Sequence, residues 1–511
     1  MAREDSGRKS FLKKCYNGII NWIKKLDIEK SYIIGLLLIG LLLIVPMYIA
    51  GFYNVISHSD DFGHALNVHL EWMKNPSFGG FLKAVAAAWD RMVDIYFVWG
   101  GNYTSFFFSA FQPIAFSEKL NFVGPFIFLT CFIWAEYNFL KEIICCHFGL
   151  TRKNFWLIFL CVVVMETQWL TSSRQAFYWY SGCVTNTLGF AGGLAILRII
   201  LKGIRENCIT KKTLVWGLFL GVFVGGCNYS SMMSLFCIIV LLLAYILWNK
   251  ELATGVKCKI AAICTVLFVG GIISIIAPGN TVRQQFNEGT NALNAIIMAI
   301  QYGKITAVEY FDYKNVIYSL LILPFVWNEL DSKKEYRLPL LLLIVSCGIF
   351  CAAFAPTMKS DMSVGNKRTR NLYWYIFLNM YTFNFIYFLG WCKHKLSKYL
   401  DYEKCRFDKK QFVGFFVAIL YIFVCCFKTD DVKYMPGVRC GLDLVTGRFA
   451  TFKEKMDERN KLFYSDEKEI TVKHIDYLPY VILEQDGLFA NEVGKDVMSD
   501  YYKKDKIHVV E

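Results

Sequence analysis

Eleven apolar stretches, each close to the length needed to cross a lipid bilayer, limit the fold of this chain more than any other feature. A helix needs about 20 apolar residues to span the hydrocarbon core. The stretches lie near residues 31–52, 121–146, 155–171, 187–201, 213–227, 231–248, 260–277, 313–329, 338–355, 372–391 and 411–427. A helix satisfies its own backbone hydrogen bonds inside lipid, whereas an irregular chain does not. The sequence therefore predicts an all-α polytopic membrane protein with about eleven transmembrane helices.

The composition favours lipid over nucleic acid as the surroundings of the chain. Of the 511 residues, 55% are hydrophobic, against about 45–50% in soluble domains. The formal net charge of +13 would suggest nucleic acid in a soluble protein, but much of the basic excess lies in short segments between apolar stretches. We therefore expect the lipid bilayer as a partner and no nucleic acid.

The distribution of basic residues predicts the orientation of the chain. Lys and Arg are frequent in the N-terminal segment and in the turns at 147–154, 202–212, 249–259, 330–337 and 392–410. Basic turns usually face the cytoplasm, which predicts a multi-pass cell-membrane protein with a cytoplasmic N-terminus and an extracytoplasmic C-terminus. The first apolar stretch is too long for a signal peptide, so we expect it to remain as the first span.

This topology divides the chain into a cytoplasmic N-terminus at 1–30, a transmembrane domain at 31–427 and an extracytoplasmic C-terminal domain at 428–511. The outward connections would be 53–120, 172–186, the turn around Cys227–Ser230, 278–312 and 356–371. The first connection has helical patterns at His64–Lys74 and Phe81–Val98 that are too short or too polar to span, and we expect both on the membrane surface. The last domain mixes a helical stretch with alternating runs, which predicts a small α+β unit that docks on the membrane domain.

An acidic pair, Asp60 and Asp61, follows the first span. Adjacent carboxylates repel, so the pKa of one of them should rise toward a value useful for a catalytic base. The alternative is that one aspartate only caps a helix starting at His64. A divalent metal, Mg or Mn, is possible because His58, His64, His69 and Glu71 crowd the same stretch, but the spacing is not specific and no cofactor is certain.

Aromatic residues with one arginine form a second cluster in the same connection. Trp99, Asn102 and Tyr103 belong to the run Trp-Gly-Gly-Asn-Tyr, and Arg91 precedes it. Aromatic faces stack on the C–H faces of sugars, and a guanidinium binds phosphate oxygens bidentately. The commoner use of such rings at this depth is as interfacial anchors.

Basic residues also lie at three other predicted outward ends of helices. They are Arg174, Arg283, which follows Asn280, and the group Lys367, Arg368 and Arg370. Positive charge on this face is unusual and calls for a local anion. Lipid headgroups are one source, whereas three loops converging on one face suit a phosphate better. Transfer from a lipid-linked phosphosugar would use all of these groups, because it needs a base for the acceptor hydroxyl and cations for the departing phosphate.

The order of these motifs resembles the GT-C superfamily of polyprenyl-phosphate-sugar-dependent glycosyltransferases, and more narrowly bacterial membrane families akin to the O-antigen glucosyltransferases. The resemblance rests on Asp-Asp-Phe-Gly, Trp-Gly-Gly-Asn-Tyr, Tyr-Trp-x-x-Gly at Tyr178–Gly182, Ala-Pro-Gly-Asn-x-x-Arg at Ala277–Arg283, and the segment from Ala355 to Arg370. It covers roughly residues 31 to 430. It implies inverting transfer of a hexose from a polyprenyl-phosphate donor to an extracytoplasmic cell-surface glycan in a bacterium.

The leading hypothesis is therefore a hexosyltransferase with Asp61, or Asp60, as the base, and Asp61 is weakly preferred. Predicted phosphate ligands are Arg174, Arg283 and Arg370, with Arg368 as the alternative to Arg370. Trp99, Tyr103 and Trp179 would face the sugar, and Arg91, Asn102 and Asn280 would also contact substrate. One competing hypothesis is a transporter or flippase for a lipid-linked or anionic solute, although few ionisable residues besides Glu136 and Glu166 lie within the apolar stretches. Another is a non-catalytic assembly protein that docks through its tail.

Overall fold

The structure, a computed structural model, describes residues 28–55, 59–399, 407–426, 429–475, 477–483 and 492–510. This part of the chain is almost entirely helical. The N-terminal segment before Ile28 and His58 of the possible metal set lie outside the described residues.

The helices are α1 (Ile28–Gly51), α2 (Ser59–Lys74), α3 (Phe78–Val98), α4 (Tyr103–Ala110), α5 (Val123–Lys141), α6 (Arg152–Gln168), α7 (Tyr180–Glu206), α8 (Lys211–Gly225), α9 (Tyr229–Trp248), α10 (Thr254–Ile275), α11 (Pro278–Gln284), α12 (Ala292–Tyr310), α13 (Tyr313–Glu329), α14 (Pro339–Ala352), α15 (Ala355–Asp361), α16 (Lys367–Leu396), α17 (Lys409–Cys426), α18 (Thr429–Lys433), α19 (Pro436–Val445), α20 (Arg448–Phe463) and α21 (Glu492–Tyr502). The strands are β1 (Glu469–Lys473) and β2 (Lys506–Val510). A wide helical turn at Arg174–Tyr178 precedes α7, and one at Glu142–His147 extends α5.

Six helices among the described residues are long and apolar enough to cross a membrane. They are α1, α5 with its flanking turns, α7, α9, α10, and α14 together with α15. The chain is thus an all-α membrane protein with several candidate spans. The remaining predicted spans include helices as short as α8, which has 15 residues, so the count of eleven stays a prediction.

Small residues allow the shorter helices to approach their neighbours closely. Gly217, Gly221 and Gly225 repeat every fourth residue along α8 and face α10. A Cβ atom on Gly225 would lie 2.9 Å from the backbone carbon of Gly270. Because lipid gives no hydrophobic driving force between helices, such backbone contact is a main source of their association.

The basic turns meet at one end of the helix bundle. Thr151 donates its backbone N–H (2.9 Å) and its hydroxyl (2.7 Å) to the carboxylate of Glu329. Arg205 pairs with Glu142 at 2.7 Å, and the Asn207 side chain accepts from the backbone N–H of Ala253 at 2.8 Å. Turns that the charge pattern predicts to lie on one side of the membrane therefore do lie together.

The first predicted surface helix begins earlier than the sequence pattern suggested. Helix α2 starts at Ser59, not at His64, so both aspartates belong to its first turn. Carboxylates in a first turn interact favourably with the helix dipole, which explains the early start. The idea that an aspartate caps a helix beginning at His64 is therefore wrong. Helices α2 and α3 otherwise match the two predicted segments and pack against each other.

Three predicted outward connections contain helices. The segment 172–186 includes the turn before α7 and its first residues, 278–312 contains α11 and α12, and 356–371 contains most of α15 and the start of α16. Helix α12 has apolar residues at Leu293, Ile296 and Ile300, spaced as on one helix face. No unbroken apolar run marks α12 in the sequence, because polar residues interrupt its apolar pattern.

The C-terminal tail shares its core with the membrane domain. Strands β1 and β2 pair in parallel, with Ile470 opposite Ile507. The apolar side of this pair belongs to the same buried cluster as Phe62 and Val68 of α2, and the Phe62 ring packs on Tyr501 of α21. Helix α19 lies so close to α1 that a Cβ atom on Gly437 would overlap the backbone of Leu43. The described part of the tail therefore lacks a complete core of its own and docks along α1 and α2.

Candidate functional site

The two aspartates have different surroundings although they are adjacent. Asp60 is exposed, whereas only 3% of Asp61 is exposed. The Asp61 Oδ1 atom accepts hydrogen bonds from the Ser181 hydroxyl (2.5 Å) and backbone N–H (3.3 Å). Gln112 donates to the backbone carbonyl of Asp61 at 2.7 Å. Successive helix residues point about 100° apart, so α2 presents one carboxylate to the protein and the other to the surface.

Arg368, in the first turn of α16, lies within reach of the charge of Asp60. Its guanidinium lies over the indole of Trp179, 4.7 Å from the ring centroid. Surrounding protein atoms desolvate the half-buried guanidinium and lower the pKa of Arg368 to about 10; Asp60 opposes this pKa shift, while Arg283 adds to it. A desolvated cation beside a carboxylate and a second cation is an arrangement that attracts an anion such as phosphate.

A second arginine–tryptophan pair lies nearby. The Arg283 guanidinium is 5.5 Å from the centroid of the Trp99 ring, and 46% of Trp99 is exposed. In the first pair the indole of Trp179 rests on Gly182, where a Cβ atom would lie 2.6 Å from a ring carbon. The glycine in Tyr-Trp-x-x-Gly therefore makes room for the ring that supports Arg368.

The motifs around Gly101 and Asn280 interlock. The Asn280 side chain accepts from the backbone N–H of Gly101 (3.2 Å) and the Tyr229 hydroxyl (3.2 Å), and donates to the carbonyl of Ser274 (2.8 Å). Cβ atoms on Gly101 and Gly279 would collide with the facing backbone. These contacts fix Trp99 and Arg283 relative to each other.

Three residues predicted to bind substrate make hydrogen bonds to other segments of the protein. Asn102 donates to the carbonyl of Cys227, and the Tyr103 hydroxyl donates to the carbonyl of Val222 at 2.8 Å. Asn280 makes the contacts described above. Their side-chain polar groups thus position the loop before α4, while the Tyr103 ring stays partly exposed.

The other predicted cations lie around this centre. Arg370 is exposed and its carbonyl accepts from the Tyr310 hydroxyl of α12 at 3.2 Å, so Arg368 rather than Arg370 lies with Asp60 and Arg283. Residues two apart on a helix point about 200° apart, which separates the two arginines. Arg174 is buried beside Gln175, whose side chain accepts from the Arg368 backbone N–H at 2.9 Å. Arg91 is half-buried on α3, near Asp94.

The possible metal ligands do not converge in the described part of the chain. His69 bonds to the carbonyl of Ala115 at 3.0 Å and stacks on Tyr501 at 4.0 Å between ring centroids. Glu71 pairs with Lys74. Within the described ranges, no group of three His, Cys, Asp or Glu side chains could hold a metal ion.

Sequence reasoning missed the residues that fix the orientation of the acidic pair and of Arg368. Ser181 lies inside the Tyr-Trp-x-x-Gly motif but was not singled out, and Gln112 and Gln175 belong to no motif. All three bond across long separations in sequence, so nothing local marks them. The only signal was the position of Ser181 within a motif already judged functional.

The close packing of Gly101 against the Ser274 backbone predicts that one added methyl group lowers the stability of the protein strongly. Gly101→Ala is expected to cost at least about 2 kcal/mol of stability, because its Cβ atom would meet the Ser274 carbonyl and overpacking costs about 1–3 kcal/mol or more. Thermal unfolding of the detergent-purified protein measures this. Gly255→Ala is the matched control, since nothing lies within 4 Å of a Cβ atom there. Equal stability of the two variants would contradict the interlock.

Comparison with known proteins adds no identification. No protein-family model matches the chain, and no curated protein and no solved structure matches it significantly. The resemblance of the motifs to GT-C glycosyltransferases therefore stays a prediction, and the function is argued from the site.

Proposed function

We propose that the protein is a membrane hexosyltransferase that moves a hexose from a polyprenyl-phosphate donor to a cell-surface glycan. The observation that carries this proposal is that Arg368, which packs on Trp179, is close enough to Asp60 and to Arg283 to feel both charges, and that Arg283 packs on Trp99. A carboxylate supplies the base, two guanidinium groups suit a phosphate, and indole faces suit a sugar.

In the proposed reaction Asp60 is the base, because Asp61 is buried and its Oδ1 atom is held by Ser181. The Asp60 carboxylate takes the proton of an acceptor hydroxyl. At the same time the oxygen of that hydroxyl forms a bond to the anomeric carbon of the donor. The bond between that carbon and the phosphate oxygen breaks on the opposite face, so the configuration inverts. Arg283 and Arg368 stabilise the negative charge of the departing polyprenyl phosphate. Asp61 then acts as a positioning residue.

The proposal includes the topology that the charge pattern predicts. The chain would cross the cell membrane about eleven times, and the site would open on the extracytoplasmic side, together with the C-terminal tail. The lipid-linked donor reaches such a site from within the bilayer, and the site lies at the end of the bundle away from the basic turns.

Incubating membranes that contain the protein with radiolabelled polyprenyl-phosphate hexose tests this function. The expected result is movement of label from the lipid-soluble fraction into the glycan fraction, in proportion to the amount of protein. Membranes without the protein are the control. Retention of all label in the lipid fraction would contradict the proposal.

A second candidate function, proton-linked transport, is favoured by one observation. Asn379 donates to Glu136 Oε1 at 2.9 Å and to Glu166 Oε1 at 3.0 Å, and both carboxyl groups are fully buried. Paired carboxyl groups within a membrane domain are typical of proton relays. We favour a structural role for the two glutamates, since they lie deep in the helix bundle and apart from Arg283, Arg368 and their tryptophans.

The two candidates give opposite predictions for this pair. If the protein is a transferase, the double variant Glu136→Gln with Glu166→Gln is expected to keep its transfer rate within about threefold, because amides replace the carboxyl groups at equal volume. The labelled-donor assay measures this, with protein amount matched between samples. Transbilayer movement of intact labelled lipid, lost in the double variant, would support transport instead.

A further inference from the structure

A cavity with both polar and apolar walls lies between the membrane domain and the tail, outside the site described above. Its volume is about 830 Å³, within the range of about 300–1,000 Å³ that small-molecule sites occupy. It is bounded by the chain after α1 (Phe52–Val55), the segment before α5 (Ser117–Phe122) and one face of α20. Phe62, the residue after the acidic pair, also lines it.

Two buried amide groups at the wall of this cavity lack complete hydrogen bonding. Asn54 and Asn121 are 9% and 7% exposed, and both line the cavity. Asn54 donates to the carbonyl of Tyr178, but its Oδ1 atom has no partner among the described protein atoms, and neither has Asn121 Nδ2. A buried polar atom without a partner is destabilising. The two side chains thus leave one acceptor and one donor unsatisfied at the cavity wall.

The rest of the lining has the chemistry of a carbohydrate site. Phe52 stacks on Phe122 at 5.6 Å between ring centroids, and Tyr464 is largely exposed. The Glu118 carboxylate, fixed by the hydroxyls of Tyr464 (2.8 Å) and Tyr502 (2.5 Å), lies among them. Lysines, Asp457 and Asn460 complete the wall. Hydroxyl groups satisfy such a mixture of carboxylate, ammonium and amide groups, whereas an apolar lipid tail would leave it unpaired.

The face of α20 that lines the cavity is continuous. The lining residues of this helix and its end are Lys453, Met456, Asp457, Asn460, Lys461, Phe463 and Tyr464. Their spacing of three or four residues places them on one side of the helix. The tail therefore supplies a full wall of the cavity, which gives it a role besides packing.

We propose that this cavity binds a saccharide chain, and that this chain is the acceptor glycan. Saccharide binding is argued from the cavity alone, whereas its role as acceptor rests on the proposed function. Phe62 belongs to the helix that carries the proposed base, two residues from Asp60 and on another face of α2, so the cavity and the base adjoin the same helix. An acceptor bound there would contact both the tail and the membrane domain.

Saturation-transfer NMR on the full-length protein in detergent, with hexasaccharides of glucose and of N-acetylglucosamine as probes, tests the binding. Wild type is expected to bind at least one of them. Asn121→Leu is expected to weaken this binding at least tenfold while leaving the melting temperature unchanged or higher, because it removes an unpaired donor. A purely structural asparagine would give a lower melting temperature and unchanged binding.

Steric variants separate the cavity from the rest of α20. Asn460→Trp is expected to fill the cavity and abolish saccharide binding, whereas Lys455→Trp introduces the same side chain at an exposed position that does not line the cavity and is expected to bind like wild type. Binding of neither probe, or equal binding by both tryptophan variants, would overturn the proposal. The labelled-donor assay does not depend on these probes, so a failure of the proposed transferase function would be seen separately.

Discussion

Asp60→Asn is expected to lower the rate of hexose transfer by a factor of roughly 10²–10⁴, the usual contribution of a general base. The amide keeps the size of the side chain but cannot take the acceptor proton. Because Asp60 is exposed in the first turn of α2, the change should leave the melting temperature within a few degrees of wild type. The measurement is the initial rate of label transfer from polyprenyl-phosphate hexose at matched protein amounts.

Two further aspartate variants test whether the loss of rate is specific to Asp60. Asp90→Asn replaces an exposed carboxylate on α3 and is expected to transfer at the wild-type rate. Asp61→Asn alters the buried carboxylate that accepts from Ser181, and we expect a loss of stability of about 1–3 kcal/mol together with a smaller loss of rate. Full activity of Asp60→Asn alongside an inactive but stable Asp61→Asn would assign the base to Asp61.

Arg368→Gln is expected to reduce the maximal transfer rate by roughly 10²–10³, because a cation that stabilises the leaving group acts mainly in the transition state. Arg368→Lys keeps the charge but loses the planar fork that binds two phosphate oxygens and stacks on Trp179. Its rate should lie between those of wild type and the glutamine variant. The measurement is the maximal rate at saturating donor.

Arg370→Gln is the matched control for this prediction. It removes an exposed arginine two residues away on the same helix, whose charge acts on Tyr310, and is expected to transfer within about threefold of wild type. The melting temperatures of both glutamine variants should be compared, since a guanidinium packed on an indole contributes to stability. A larger rate loss for Arg370→Gln than for Arg368→Gln would place the phosphate on the other face of α16.

Much of the helical architecture could be predicted from the sequence because lipid exposure imposes long apolar runs. Helix α1 and helix α9 each follow such a run closely. Helix α12 was missed because Lys304 and Glu309 interrupt its apolar pattern. The tail's shared core could not be foreseen, because the contacts of Phe62 with Tyr501 and Tyr502 join segments more than four hundred residues apart in the sequence.

The candidate site was predictable as a set of motifs but not as a geometry. The sequence placed acidic, aromatic and basic residues on one face, and Asp60, Trp179, Arg283 and Arg368 do come together. Which of two nearby residues faces the candidate site depends on helix register, which composition does not reveal. The sequence therefore could not decide between Asp60 and Asp61 as the base, or between Arg368 and Arg370 as the phosphate ligand. Asn102 and Asn280 were given substrate contacts because the amides that fasten one loop to another look the same in sequence as amides that bind a sugar.

Covalent hexose transfer at this site can be measured with the purified protein in liposomes that hold labelled polyprenyl-phosphate hexose and cell-envelope glycan. We expect label to become covalently attached to the glycan with inverted anomeric configuration and free polyprenyl phosphate to be released in equal amount. Asp60→Asn is expected to slow both by a factor of roughly 10²–10⁴. Movement of intact labelled donor across the bilayer, with no label in the glycan, would contradict covalent transfer.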